Sequence, residues 1–105
     1  MININTLPEK EFFQGFRGKF IHTQNNTLGF WHIDKGATLP IHSHVHEQVT
    51  QVLEGQFELT VGDQTHIYEA GSVAVIPPHV PHGGTALTDC KIFDIFCPVR
   101  EDYKI

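Results

Sequence analysis

Between Gly36 and Gly55 the chain reads Gly-Ala-Thr-Leu-Pro-Ile-His-Ser-His-Val-His-Glu-Gln-Val-Thr-Gln-Val-Leu-Glu-Gly. In extended backbone successive side chains point to opposite faces, so His42, His44, His46 and Gln48 share one face. Imidazoles two residues apart at a strand end can be offered to one ion. A second stretch, from Gly71 through Pro77 and Pro78 to His79 and His82, brings another imidazole after a strand and a proline-stiffened turn. Three neutral imidazoles and one amide oxygen suit a borderline divalent metal such as Zn, Ni, Fe, Mn or Co, with a position left for water or substrate. The predicted ligands are His42, His44, Gln48 and His82. His46 either donates behind the ligands or lines the mouth of the site. His79 falls in a turn and reads as exposed. Glu47 has the wrong parity and reads as an outward residue in a salt bridge. His22, His32 and His66 read as surface or hydrogen-bonded polar groups.

A second chemical stretch runs from Lys91 to Arg100. Alternation puts Ile92, Asp94 and Phe96 on one face and Phe93, Ile95 and Cys97 on the other. Both faces are apolar except for Asp94. A carboxylate inside a barrel needs a partner, so Asp94 is either a hydrogen-bonded structural residue or a general acid/base beside the metal. Arg100 follows a proline that redirects the chain. It is either a solvated tail charge or a planar fork at the barrel rim, able to clamp a substrate carboxylate.

The elements that must position these residues are short. Turn signals recur at Gln24-Asn25-Asn26, Asp34-Lys35-Gly36, Glu54-Gly55, Gly62-Asp63, Ala70-Gly71, Pro77-Pro78, Gly83-Gly84 and Thr88-Asp89. Between them lie runs rich in Val, Ile, Phe and Thr: Leu28–Ile33, Val49–Leu53, Gln56–Val61, Thr65–Tyr68, Val73–Ile76 and Lys91–Phe96. This is the many-strand pattern of an all-β sandwich or barrel. Residues 8–16 are expected to form a helical turn or two at most. One domain, 1–105, accounts for the length.

Composition sharpens the picture. The chain carries eight histidines against seven Lys plus Arg, with a net charge of -5. A balance this acidic argues against nucleic acid and anionic membrane as partners. The N-terminal stretch lacks a signal-peptide pattern, and apolar runs fall short of the ~18 residues of a membrane span. Cys90 and Cys97 differ in parity, so a disulfide between them is not expected, and the setting reads as reducing and cytoplasmic.

These motifs are similar to the two motifs of the cupin superfamily. The first is matched by Gly36, His42, His44 and Gly55, with Gln48 where glutamate is usual. The second is matched by Gly71, Pro77 and His82, with His79 replacing a glycine and Ala86 an asparagine. The resemblance spans residues 28 to 97. It implies a double-stranded β-helix (jelly-roll) barrel of six or more strands with a metal inside. It also implies a homodimer, often with an N-terminal strand added to the partner's sheet. Glutamine in place of glutamate removes a negative charge from the ligands, which favours an anionic substrate.

Together with Asp94-x-Phe96-x-Pro98-x-Arg100, the set resembles the KdgF family of small pectin-degradation cupins. That family linearises unsaturated uronate monosaccharides released by pectate and alginate lyases. The family's ligands match His42, His44, Gln48 and His82, and its site residues match Asp94, Phe96 and Arg100. Val45 departs from a frequent proline. The resemblance implies metal-dependent ring opening of a small anionic sugar. Asp94 would shuttle the proton, Arg100 hold the carboxylate, and Phe96, more than Trp31, form an apolar wall. The alternatives are a small cupin dioxygenase, a non-enzymatic sugar- or metal-binding cupin, and an isomerase of another acidic sugar.

Overall fold

Side-chain alternation builds the molecule. In the last long strand Ile92, Asp94 and Phe96 are buried, while Lys91 and Cys97 are exposed. In this computed structural model, which describes residues 1–104, the strands are β1 (Lys10–Phe13), β2 (Phe16–His22), β3 (Thr27–Ile33), β4 (Thr38–His42), β5 (Glu47–Glu54), β6 (Phe57–Val61), β7 (Gln64–Tyr68), β8 (Val73–Ile76), β9 (His82–Ala86) and β10 (Cys90–Cys97). Short 3-10 turns cover Ile4–Thr6 and Glu101–Tyr103. One sheet runs β1-β2-β3-β10-β5-β8 and the other β4-β9-β6-β7. Their inner faces enclose the core, with Trp31, Ile33, Val52, Ile92 and Phe96 from the larger sheet and Phe57, Leu59 and Ala86 from the smaller. No helix among the described residues is long and apolar enough to cross a membrane.

Two expectations fail for physical reasons. Residues 8–16 form a hairpin instead of a helical turn. Phe13 pairs with Phe16 around Gln14-Gly15, and Gly15 takes a positive φ of 80°, as tight hairpins require. Phe12 then points inward, with its ring 4.9 Å from Phe20 and 5.3 Å from Tyr103. Gly83-Gly84 is not a turn either; both lie inside β9. A Cβ on Gly83 would sit 2.7 Å from the Leu39 carbonyl oxygen, so these glycines admit close backbone approach between strands.

Trp31 is framed by glycines for a similar reason. A Cβ on Gly18 would lie 2.9 Å from the indole, and one on Gly29 3.3 Å from its Nε1. The glycines leave the space into which the ring lies flat.

Candidate functional site

The two sheets bring the predicted ligands together from separate elements. His42 stands directly opposite His82 across the β4–β9 ladder. His44 lies past the end of β4, and its carbonyl accepts a hydrogen bond from the His79 N–H at 2.8 Å. Gln48 comes from β5, opposite Phe96 of β10. One nitrogen from each of His42, His44 and His82 lies within 4.8 Å of the others.

Hydrogen bonds fix the proton on each ring. The Nδ1 atoms of His42, His44 and His82 face the carbonyl oxygens of Pro40, His46 and Val80 at 2.8, 3.0 and 2.9 Å. A carbonyl only accepts, so each Nδ1 carries the hydrogen and each Nε2 keeps its lone pair. His82 Nε2 is buried with no partner. His44 Nε2 faces Gln48 Oε1 at 3.0 Å. The amide orientation follows from its other end. Gln48 Nε2 donates to Thr50 Oγ1 at 2.9 Å, and the Thr50 hydroxyl donates to Asp94 Oδ1 at 2.6 Å. The contact between His44 and Gln48 therefore opposes two lone pairs, an arrangement that a shared cation relieves. Burial, Arg100 and His82 push the His44 pKa down to about 4, and burial lowers that of His82. Both rings are neutral near pH 7, as metal ligands must be. The donor set thus fits a divalent ion held by His42, His44, His82 and the Gln48 oxygen.

Asp94 lies on β10 beside this cluster and is 6% exposed. Its Oδ2 accepts from the Trp31 indole N–H at 2.9 Å, while Oδ1 takes the Thr50 hydroxyl. Burial pushes its pKa up to about 6, against the pull of these bonds, which puts the carboxyl in the range where it can both take and give a proton. Arg100 faces the same space. It lines one cavity with His42, Gln48, His82, Asp94 and Phe96, about 550 Å³ of atom-free space including the mouth. Phe96 supports the Arg100 guanidinium at 4.8 Å from its ring centroid.

Comparison with known proteins bears on this geometry. Residues 29–96 match the family model described as a cupin domain. The chain belongs to the cupin family. The cupin is 27% identical over 99 residues to the pectin degradation protein KdgF of Dickeya dadantii, covering 91% of this chain and 90% of that protein. Among solved structures, an RmlC-like cupin from Shewanella frigidimarina matches with a TM-score of 0.91 at 30% identity, over 95% of this chain and 91% of the other. KdgF from Halomonas sp. matches with a TM-score of 0.88 at 29% identity, over 92% and 91%. The double-stranded β-helix implied by the sequence motifs is the fold of this cupin.

Several residues stand elsewhere than the sequence suggested. Arg100 is not at an open rim. It is 8% exposed, with Nε and Nη2 donating to Asp102 at 3.0 and 2.8 Å. Trp31 is the hydrogen-bond donor to Asp94 more than a wall. His46 stays out of the metal group and is flanked by the charges of Arg100 and Asp102. Glu47 is exposed and makes no ion pair among the described residues. As expected, His79 is exposed, His32 bonds Glu9, and His22 bonds Thr27. Thr50, Asp102 and Tyr103 belong to the site but were not singled out. Thr50 carried a signal, since it shares the inward parity of Gln48 on one strand.

In the metal-free cupin, Asp94 and His44 pull stability in opposite directions. Asp94 takes a proton more readily when folded than at its ordinary 3.8, so its contribution is lost as pH rises through about 6. His44, held near about 4 against 6.5, penalises the fold at low pH and releases that penalty as pH rises. Asp94→Asn removes the first effect alone. Between pH 4 and 7 the variant should gain about 2 kcal/mol relative to the wild type, at about 1.36 kcal/mol per pKa unit. Denaturant unfolding with chelator present measures this, and a pH-independent difference would refute the burial argument.

Proposed function

We propose that this cupin is a metal-dependent isomerase that opens the ring of 4,5-unsaturated uronate monosaccharides from pectin or alginate breakdown. The observation that carries the reading is the buried Asp94, raised into the near-neutral range and facing the same cavity as a neutral ligand set and Arg100. The likeness to two KdgF proteins supports the substrate class, and the two free thiols are in keeping with a cytoplasmic setting.

The reaction is a rearrangement that adds and removes no atoms. The anomeric hydroxyl loses its proton, the C1–O5 bond breaks as the C1 carbonyl forms, and O5 becomes an enolate oxygen on C5. A proton added at C4 then turns the enolate into a ketone. Asp94 takes the hydroxyl proton on one carboxylate oxygen and returns it to C4. Arg100 holds the substrate carboxylate and sets the register of the ring. A divalent ion, when bound, supplies Lewis-acid polarisation of a substrate oxygen. Protein loaded separately with each candidate metal and mixed with the unsaturated uronate should speed the loss of its ultraviolet absorbance. The linear keto sugar should appear by NMR. Rates equal to the uncatalysed opening with every metal would sink the reading.

The same proposal includes a homodimer. The outer face of the larger sheet carries Leu28, Phe30, Val49, Phe93 and Ile95, and Phe30 and Phe93 meet with ring centroids 5.1 Å apart. Its flank adds Leu53, Val73 and Val75 at 45%, 53% and 61% exposure. An apolar sheet face suits an isologous copy of itself. Sedimentation equilibrium should give twice the chain mass of 11.9 kDa; a monomer at micromolar concentration counts against it.

A further inference from the structure

Arg100 is held by three independent contacts. Its backbone N–H donates to Thr27 Oγ1 at 2.8 Å. Its guanidinium lies over the Tyr103 ring at 4.1 Å and the Phe96 ring at 4.8 Å from the centroids. Asp102 takes one edge of the fork, with Nε on Oδ1 at 3.0 Å and Nη2 on Oδ2 at 2.8 Å. The hydrogen bonds to Arg100 lower the Asp102 pKa, so the pair is ionised at neutral pH.

These contacts constrain different motions. Packing against two rings whose planes meet at 74° confines the guanidinium but leaves its N–H edges free to swivel. Two parallel hydrogen bonds to Asp102 stop the swivel. A guanidinium has five N–H groups, and Asp102 uses one on Nε and one on Nη2. Both N–H groups of Nη1 and the second on Nη2 remain. They form another two-pronged edge, matched in spacing to a carboxylate. Arg100 lines the cavity that also holds Asp94, His42 and His82.

We propose that Asp102 is a positioning residue that locks Arg100 so that its Nη1–Nη2 edge receives the carboxylate of a uronate. The inference rests on the uronate reading above and deepens it. Asp102 does not touch the substrate. It acts by fixing the edge that Arg100 presents.

Charge and geometry predict opposite signs, which makes the test decisive. If Arg100 acted as a point charge, removing the negative Asp102 would tighten anion binding. If orientation governs, the same change weakens it. The probe is D-galacturonate, a saturated uronate, titrated calorimetrically into metal-loaded wild type, Asp102→Asn and Asp102→Glu, with D-galactose as neutral control. Asp102→Asn should bind galacturonate about tenfold or more weakly, with metal content and thermal midpoint near wild type. Asp102→Glu should recover part of the loss. Galactose binding should not change. With unsaturated uronate, Asp102→Asn should raise KM while kcat stays within a few fold. Unchanged or tighter galacturonate binding in Asp102→Asn, equal loss of galactose binding, or a wild type that binds no galacturonate would each overturn the proposal. A wild type that fails to open the unsaturated sugar, yet binds galacturonate in an Asp102-dependent way, would overturn the ring-opening reading and leave this one standing.

Discussion

Asp94→Asn should slow the opening of unsaturated uronate by about 10²–10⁴-fold, the usual worth of a positioned acid/base, while the cupin keeps its metal. The hydrogen-bond directions explain why metal is retained. Trp31 can still donate to the amide oxygen, and the new amide N–H can donate to Thr50. Thr50 then receives two donors, from Gln48 and Asn, and its own hydroxyl proton is left without an acceptor. With a cation on His44 Nε2, rotating the Gln48 amide to accept that proton would aim its N–H at the ion, so the ligand oxygen stays where it is. At pH 4, before ionisation of the buried carboxyl weighs on the wild type, the expected stability cost is that of one unsatisfied buried donor, about 1–3 kcal/mol. Elemental analysis, unfolding and ultraviolet kinetics on one preparation check all three parts. A rate equal to the wild type's removes Asp94 from the chemistry.

His82→Ala should abolish metal retention. This imidazole is 3% exposed, its Nδ1 is tied to the Val80 carbonyl, and its Nε2 is buried with no protein partner. Without metal Nε2 is an unsatisfied acceptor, so loss of the ring should cost the metal-free fold only its packing and its one hydrogen bond to Val80. With metal the balance changes. A ligand that binds the native state alone stabilises it by about 4 kcal/mol at a thousandfold excess over its dissociation constant. The wild type should therefore show a higher thermal midpoint when excess metal is added, and His82→Ala should not. Stoichiometric metal in the variant after gel filtration would refute the ligand set. His44→Ala should behave alike but also disturb the loop that His79 clamps.

The face shared by His42, His44, His46 and Gln48 was legible in the sequence even though the element was not. The backbone leaves strand geometry after His42 and re-enters it at Glu47. Exposure still alternates, with Ile41, Ser43, Val45 and Glu47 outward. Asp94 was legible as the one polar residue on an apolar strand. Its partners were not. Trp31 lies 63 residues away in the chain and Thr50 lies 44. Such pairs depend on sheet order, which periodicity does not encode. Gly83 and Gly84 misled because turns and close strand packing both call for a residue without a side chain. The partner of Arg100, only two residues on, was missed because a rim position gave no reason to seek one.

The hydrogen bonds linking Gln48, Thr50 and Asp94 run in one direction, because a single hydroxyl proton sits in the middle. The three positions therefore behave as one heritable unit. Glutamate at 48, the residue usual in cupins, would compete with Asp94 for that proton and place two carboxylates against the same hydroxyl. Changing position 94 to asparagine as well reverses the whole run. Asn would donate to Thr50, and Thr50 to the new glutamate, so the hydroxyl keeps one donor and one acceptor. The pair Q48E and D94N should therefore be more stable together than the sum of the single changes, by about 1–3 kcal/mol of coupling energy. Strict additivity would show that the hydroxyl does not set the direction. Which carboxylate a cupin of this kind carries, at 48 among the ligands or at 94 on the neighbouring strand, would then be a single evolutionary choice.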